Sequence, residues 1–231
     1  MVIQNDLRWQ WEFVERGFVL LGGLALVLTV LASLVLGTWW ALRPRGVAAK
    51  AVNPLSTMVI AIPEFVVATV LVLALALWAD WLPAVTLASA EGTPTDATML
   101  VLPVLALAIP QTGWNTRVVR AALVEASERP HVHAAILDGL PTLRVVTRHI
   151  LPTAIPTIAA SIATTVSMVL GGAVVVETIF NYPGIGSVVA SSVADRDATL
   201  IAAVIALTGT AIMLVLVLAD GLRAWSLRGR R

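Results

Sequence analysis

The stretch GFVLLGGLALVLTVLASLVLGTWWA, residues 17–41, contains no charged side chain. A helix needs about 20 mostly apolar residues to cross a hydrocarbon layer of about 30 Å, so this stretch predicts a membrane-spanning helix. The composition of the whole chain agrees: 58% of its 231 residues are hydrophobic, 13% are charged, and its mean hydropathy is +0.91. A soluble domain carries about 25% charged residues. The sequence therefore indicates an integral membrane protein.

Four further segments are long and apolar enough to span. The five predicted spans are residues 17–41, 56–80, 98–121, 152–178 and 199–222. Residues 1–16 precede them as an N-terminal segment, and residues 223–231 follow as a basic tail. No linker rich in Gly or Ser divides the chain, so the predicted fold is one all-α, polytopic membrane helix bundle over residues 17–222.

The distribution of Lys and Arg predicts the orientation. Three of the fifteen cations, Arg8, Arg16 and Arg196, fall on one side of the predicted spans. The others fall on the opposite side, and they are Arg43, Arg45, Lys50, Arg117, Arg120, Arg129, Arg144, Arg148, Arg223, Arg228, Arg230 and Arg231. Because cytoplasmic loops carry the excess of Lys and Arg, the N-terminus is expected outside and the C-terminus in the cytoplasm of a cell membrane.

Several classes of function are disfavoured by composition. A net charge of +1 offers no basic face for nucleic acid. The chain has no cysteine, which excludes thiolate catalysis and Cys-ligated metals, and its three histidines have no helical i, i+4 partner. It also has no G-x-x-x-x-G-K-[ST] phosphate loop and no pair of catalytic carboxylates. We therefore expect no enzyme activity and no cofactor on this chain.

The connection between the third and fourth spans, residues 122–151, is long and polar. Pro130 suits the first position of a helix. Val132, Ala135 and Ile136 then recur at i, i+3 and i+4, and the sequence Gly-Leu-Pro at 139–141 ends the pattern. This predicts a short amphipathic helix within residues 130–141, of the kind that a groove on a partner protein accepts.

Separated motifs in this chain resemble one family, from about residue 20 to the C-terminus. They are Ile62–Phe65, Trp81–Ala84, Leu102-Pro103, Arg117–Arg120, Arg148–Leu151 with Pro156, Gly171–Phe180, Pro183–Gly186 and Arg196-Asp197. In this order they resemble permease subunits of ATP-binding-cassette importers, in the branch that handles dipeptides, oligopeptides and nickel complexes.

The resemblance implies half of a pore that imports a peptide or similar small solute. Its implied partners are a second, non-identical permease, two cytoplasmic ATPases that bind ATP, and an extracytoplasmic substrate-binding protein. The cytoplasmic connection would be the coupling loop to the ATPases. Its implied contact residues are Val132, His133, Ala134, Ala135, Ile136, Asp138, Gly139 and Leu140.

Two features depart from that family. The importer motif begins Glu-Ala-Ala, whereas His133 occupies the Glu position and Asp138 precedes the Gly. Members of this branch also carry an additional N-terminal helix and outer domain, whereas only about 16 residues precede the first span here. Either this subunit is short or its start is incomplete.

Three charged residues are candidates for the pore or a gate. Glu64 lies within the second predicted span, where it would line a pathway for a cationic solute or serve a structural role near the interface. Glu177 would pair with Arg196 as a gate, or simply fix the geometry of the outer loop. A self-sufficient carrier or channel and a membrane scaffold remain alternative functions at this level.

Overall fold

The computed structural model describes residues 2–43, 47–87 and 94–228. The regular elements of these residues are helices, numbered in chain order. Their bounds are α1 Val2–Leu42, α2 Val47–Ala61, α3 Glu64–Leu71, α4 Val101–Ser127, α5 Pro130–Leu137, α6 Thr142–Val145, α7 Leu151–Ile179, α8 Ile185–Ala194 and α9 Ala198–Arg228. A 3₁₀ turn, Ala97–Leu100, precedes α4, and π-helical turns over Val72–Trp78 and Val146–Ile150 follow α3 and α6.

Helices occupy all five predicted spanning positions. Three runs, Val19–Leu42, Ala97–Ser127 and Thr142–Ile179, are long and apolar enough to cross a membrane. The second position holds a broken pair, Ala51–Ala61 and Glu64–Trp78, which adds a fourth crossing if the pair is one span. The fifth position holds α9, which is apolar over Ala198–Leu214. The all-α, multi-pass class is thus confirmed.

The boundaries differ from the predicted ones in physically understandable ways. Helix α1 includes residues of the N-terminal segment, from Val2 onward. Helix α4 continues to Ser127, six residues beyond the predicted end at 121, because Ala and Leu favour helix even outside hydrocarbon. Of the basic residues used for orientation, Arg45, Arg230 and Arg231 lie outside the described residues.

The described chain divides into two compact units. The first consists of Met1–Leu28, Ile62–Pro110 and Ser167–Met213. Its core is built from small and aliphatic side chains, which let helices approach closely, and is closed by two large aromatic ones. The buried residues are Leu21, Ala25, Ala68, Ala76, Leu102, Ala106, Leu107, Val169, Ala173, Val176, Phe180 and Tyr182.

The second unit consists of Thr29–Ala61, Gln111–Val166 and Leu214–Arg231. Helices α1 and α4 pack closely at Gly37, where a β-carbon would lie 2.7 Å from Cβ of Val119. One turn further along, the guanidinium of Arg120 lies 4.4 Å from the ring centroid of buried Trp40. This cation–π contact lets the apolar interface continue past a charged residue.

A buried hydrogen-bonded chain joins α4 to α7 in this unit. The amide of Asn115 donates to the hydroxyl of Thr165 and, over 3.1 Å, to the carbonyl of Gln111. The hydroxyl of Thr165 in turn donates to the carbonyl of Ser161. Such bonds between helices contribute about 0.6–2 kcal/mol each in a membrane.

Replacing Gly37 with Ala is expected to lower the stability of the protein. The new β-carbon would overlap Val119, and overpacking of this kind costs about 1–3 kcal/mol. The melting temperature of the detergent-solubilised protein would measure the loss. Gly23→Ala on the same helix is the matched control, since a β-carbon there meets nothing within 4 Å. Equal melting temperatures for the two variants would contradict the close contact.

Candidate functional site

The polar connection between α4 and α7 is mostly helical. After Ser127 only two residues intervene before α5 begins at Pro130, and the chain is helical again from Thr142. Pro130 occupies the first turn of α5, as predicted from its fixed φ and missing N–H. The non-helical part of the connection thus consists of two short breaks.

Val132 and Ala135 of α5 face the interior of this chain. Both are buried against Val145 of α6, and Leu140 and Ile150 complete the cluster. The apolar repeat predicted from the sequence is therefore divided, since these two residues pack internally and Ile136 does not. Val132 and Ala135 anchor α5 to the helical run that enters α7, and they present no apolar face to a partner.

Other apolar side chains of the connection are exposed. Ile136 is 56% exposed, Leu137 87% and Leu143 75%. His133, Ala134 and Asp138 are exposed beside them. Leu137 and Leu143 had no place in the predicted face, because a helical period does not indicate which apolar residues a fold will bury. We call Ile136, Leu137 and Leu143 the exposed apolar side chains of the connection.

Gly139 ends α5 in a Schellman motif. Its φ is +75°, a conformation that favours glycine. The N–H of Gly139 donates to the carbonyl of Ile136 over 3.0 Å, and the N–H of Leu140 donates to the carbonyl of Ala135 over 3.2 Å. Leu140 also packs on the cluster around Ala135, the apolar contact that accompanies this motif. The predicted helix break is therefore a defined turn that fixes how α5 joins α6.

Glu177 provides the N-terminal cap that α8 lacks in its own sequence. The side chain is fully buried, and Oε2 accepts a 2.6 Å hydrogen bond from the N–H of Gly186, in the first turn of α8. The residue at the N-cap position, Gly184, has no side chain that could accept from this N–H. A carboxylate at a helix N-terminus accepts from an N–H that has no partner within the helix, and its negative charge interacts favourably with the positive end of the helix dipole.

Two glycines make room for this carboxylate. A β-carbon on Gly184 would overlap the carboxyl group of Glu177, and one on Gly186 would overlap the carbonyl oxygen of Val174. Within the described part of the chain no hydrogen bond reaches Oε1 of Glu177. The spacing of an acidic residue seven positions before Gly-x-Gly is the sequence signal for this arrangement.

The turn after α7 is held by Tyr182. Its ring is fully buried. Its backbone N–H donates to the carbonyl of Glu177 over 2.8 Å, and its hydroxyl donates to the carbonyl of Gly17 over 3.0 Å. Burial raises the pKa of Tyr182 to about 12, and the adjacent carboxylate of Glu177 adds to the rise. Tyr182 was not among the predicted site residues, because nothing in the sequence distinguishes it from a solvent-exposed turn residue.

Arg196 does not pair with Glu177. Neither of these described residues forms a salt bridge with the other, since Glu177 is engaged by Gly186 and Arg196 is exposed. Arg196 has φ +57° and ends α8 in a second Schellman motif, and Oδ1 of Asp197 then accepts from the N–H of Leu200 to cap α9. The carboxyl group of Glu177 thus contacts the backbone of α8 instead of Arg196, and a role of either residue in a gate stays a prediction.

Glu64 does not lie inside a continuous helix. The chain breaks at Ile62 and Pro63, and Glu64 is the first residue of α3. Its side chain is partly buried where α3 meets α7. A β-carbon on Gly172 would lie 3.3 Å from Oε1 of Glu64. Gly172 therefore provides close packing at this contact, whereas a β-carbon on Gly171 would meet nothing within 4 Å.

These features define a multi-pass membrane protein with a short, internally anchored helix between two long apolar ones. Among the described residues, no group of three or more acidic or histidine side chains is arranged to hold a metal. The chain belongs to the family of binding-protein-dependent transport system inner membrane components, whose model matches residues 33–231.

Peptide permeases are among its relatives. The chain is 31% identical over 212 residues to the dipeptide transport system permease protein DppB of Bacillus subtilis, a match that covers 90% of the chain and 67% of the relative. It is 28% identical to the oligopeptide permease OppB of Mycobacterium tuberculosis over 84% of the chain and 63% of that protein. It is also 28% identical to OppB of Escherichia coli, over 82% of the chain and 60% of that protein. The chain thus spans 60–67% of the length of these relatives.

Two solved structures share the fold. A chain of the MetNI methionine ABC transporter in an inward-facing conformation aligns with a TM-score of 0.75 at 14% identity, over 96% of this chain and 98% of that one. A chain of an amino acid ABC transporter with histidines aligns with a TM-score of 0.68 at 16% identity, over 95% and 96%.

The single tyrosine of the chain allows a direct test of the turn after α7. Ultraviolet titration of tyrosinate should give a pKa of about 12 for the folded protein and about 10 after unfolding. Because the folded pKa is the higher one, this contribution to stability is complete below pH 10 and declines as the pH rises toward 12. A folded-state pKa near 10 would show that the hydroxyl is not buried.

Proposed function

We propose that this chain is the permease subunit of an ATP-binding-cassette importer and forms half of its pore. The observation that carries the proposal is α5, a helix anchored by buried Val132 and Ala135 whose end leaves Ile136 and Leu137 exposed. Membership of the inner membrane component family and the similarity to DppB and OppB support it. The solute is proposed to be a peptide or a similar small molecule.

The anchoring of α5 suggests how a partner's motion is transmitted. A partner that binds Ile136 and Leu137 would displace α5, and Val132 and Ala135 would carry that displacement to Val145 in α6. From Thr142 the chain is one helical run that continues into α7. Close-packed side chains transmit strain because they leave no free volume to absorb it. The connection therefore acts as a coupling element in this proposal.

The partners follow from the class of transporter. Two cytoplasmic ATPases would bind and hydrolyse ATP, a second, non-identical permease would complete the pore, and an extracytoplasmic protein would deliver the solute. The excess of Lys and Arg on one side of the spans supports a cytoplasmic C-terminus and an N-terminus outside. Ile136 and Leu137 would then face the ATPases.

Replacing Leu137 with Ser tests the coupling role. The side chain is 87% exposed, so the permease should fold and insert normally. Burying a leucine in a partner contributes about 1.5–3 kcal/mol, so the affinity for the ATPase should fall about tenfold or more. Co-purification of the ATPase and ATP-dependent uptake into proteoliposomes would measure the two effects.

The matched control is Val193→Ser, which makes the same apolar-to-hydroxyl change at a side chain of α8 that is 58% exposed. It should leave ATPase retention unchanged. Equal retention by the two variants would contradict docking at the connection. Solute uptake without any ATPase would instead identify a self-sufficient carrier or channel.

Glu64 is proposed to contact a cationic part of the solute, such as a free amino terminus. A carboxylate within a spanning segment is costly unless it is paired or reaches water, and such residues often mark a solute path. Its position at the first residue of α3, beside the break at Pro63, supports access from a pathway. Gly172, which has no β-carbon, leaves space for the carboxyl group of Glu64 where α3 meets α7.

Glu64→Gln should raise the KM for uptake of peptides with a free amino terminus by about tenfold, the equivalent of about 1.4 kcal/mol. A charge-assisted hydrogen bond is worth at least that much. Peptides with a blocked amino terminus should be affected much less. Asp195→Asn, which neutralises an exposed carboxylate at the end of α8, is the control. A KM for free peptides that Glu64→Gln leaves unchanged, or an equal rise for free and blocked peptides, would assign Glu64 a structural role.

A further inference from the structure

An apolar groove of about 450 Å³ lies within the second unit, beside the last turns of α1. Its walls come from α1, the C-terminal end of α4 and the helical run that enters α7, and include Ala41, Leu42, Leu123, Leu143, Val146 and Ile150. A shallower depression of about 560 Å³ adjoins it. The two share Thr38 and Leu42, and Trp39 and Arg43 line the shallower one.

The sequence around the groove indicates its depth in the bilayer. The apolar run of α1 ends at Leu42, and Arg43 follows directly. On α4, Leu123 and Val124 line the groove and Glu125 is the next residue. Apolar segments give way to charge at the boundary between hydrocarbon and headgroups. The groove thus opens at the inner edge of the hydrocarbon layer, where acyl chains are the abundant apolar molecules.

The rim carries side chains suited to a lipid headgroup. Trp39 is partly buried, and tryptophan side chains concentrate at the headgroup level. Arg43 is exposed, and none of the described residues that line either depression with it is acidic. A guanidinium binds phosphate through a planar pair of N–H donors. A zwitterionic headgroup brings its own cation close to that site, whereas an anionic headgroup does not.

We propose that this groove binds one acyl chain of an anionic phospholipid whose phosphate is held by Arg43. Basic sites between helices at a membrane surface are a recognised setting for anionic lipid headgroups. The apolar wall accounts for the chain and Arg43 for the charge preference. The proposal requires a membrane-spanning protein but does not depend on which solute is transported or on how an ATPase docks.

The test uses the full-length protein in detergent and measures the binding of phosphatidylglycerol and phosphatidylcholine with identical acyl chains by native mass spectrometry. Phosphatidylglycerol should bind about fivefold more tightly, the factor contributed by one cation beside an anionic surface. Arg43→Gln should abolish this preference. Arg148→Gln, which removes an exposed cation that does not line the groove, should preserve it.

A second variant separates the groove from the charge. Leu42 lines both depressions and is 65% exposed. The Leu42→Ser protein should therefore fold normally, and its affinity for both lipids should fall by the same factor. Equal binding of the two lipids to the unmodified protein would overturn the proposal, as would a preference that survives Arg43→Gln. Displacement of bound lipid on adding a partner subunit would assign the groove to protein and also overturn it.

Discussion

Hydrocarbon offers no hydrogen-bond partners, and this constraint determines where the backbone of this protein can leave the helix. At the breaks described below, hydrogen bonds within the chain satisfy backbone groups of the helix ends. At Pro63 the carbonyl accepts from the N–H groups of Val66 and Val67. Outside the spans, Gly139 in the polar connection and exposed Arg196 have φ of +75° and +57°, which lets two N–H groups close each helix end there as well. A non-glycine residue in this conformation costs about 1–2 kcal/mol, so Arg196 is tolerated because the turn it forms satisfies the end of α8.

Polar side chains inside the bundle follow the same constraint. The amide N–H of Asn115 donates to the hydroxyl of Thr165 between α4 and α7. Glu177 takes its hydrogen bond from the backbone of α8, and the glycines of that turn admit the carboxyl group. The first bond joins two helices that are 50 residues apart in the sequence, and the second joins the consecutive helices α7 and α8. Charged and amide side chains therefore serve here as fixed links between helices whose apolar surfaces are otherwise similar.

The sequence predicted the helical class, because about 20 apolar residues leave few alternatives to a membrane helix, and three of the five predicted positions hold helices long and apolar enough to cross alone. It predicted Pro130 and the break at Gly139 for local steric reasons. It did not predict that Val132 and Ala135 would be buried internally while Leu137 is exposed. The same helical period serves an internal core and a partner interface, so only the tertiary neighbour, Val145, decides between them.

The partner of Glu177 was missed for a related reason. Opposite charge made Arg196 the obvious candidate, but the donor is a backbone N–H, which every residue except proline carries and which a sequence does not reveal. The break before Glu64 was likewise hidden. A proline in an apolar run produces either a kink or a complete interruption, and the surrounding packing selects the outcome.

Because Val132 and Ala135 are buried within the chain, the apolar surface of the connection that a partner could contact is small. Two exposed apolar side chains, Ile136 and Leu137, present a footprint far below the roughly 1,200–2,000 Å² of a stable protein–protein interface. A single contact of this size would be short-lived. In an assembly with two permeases and two ATPases, each contact would raise the effective concentration of the other, and avidity would hold the complex together. Small individual footprints would then leave each ATPase free to move while the assembly persists.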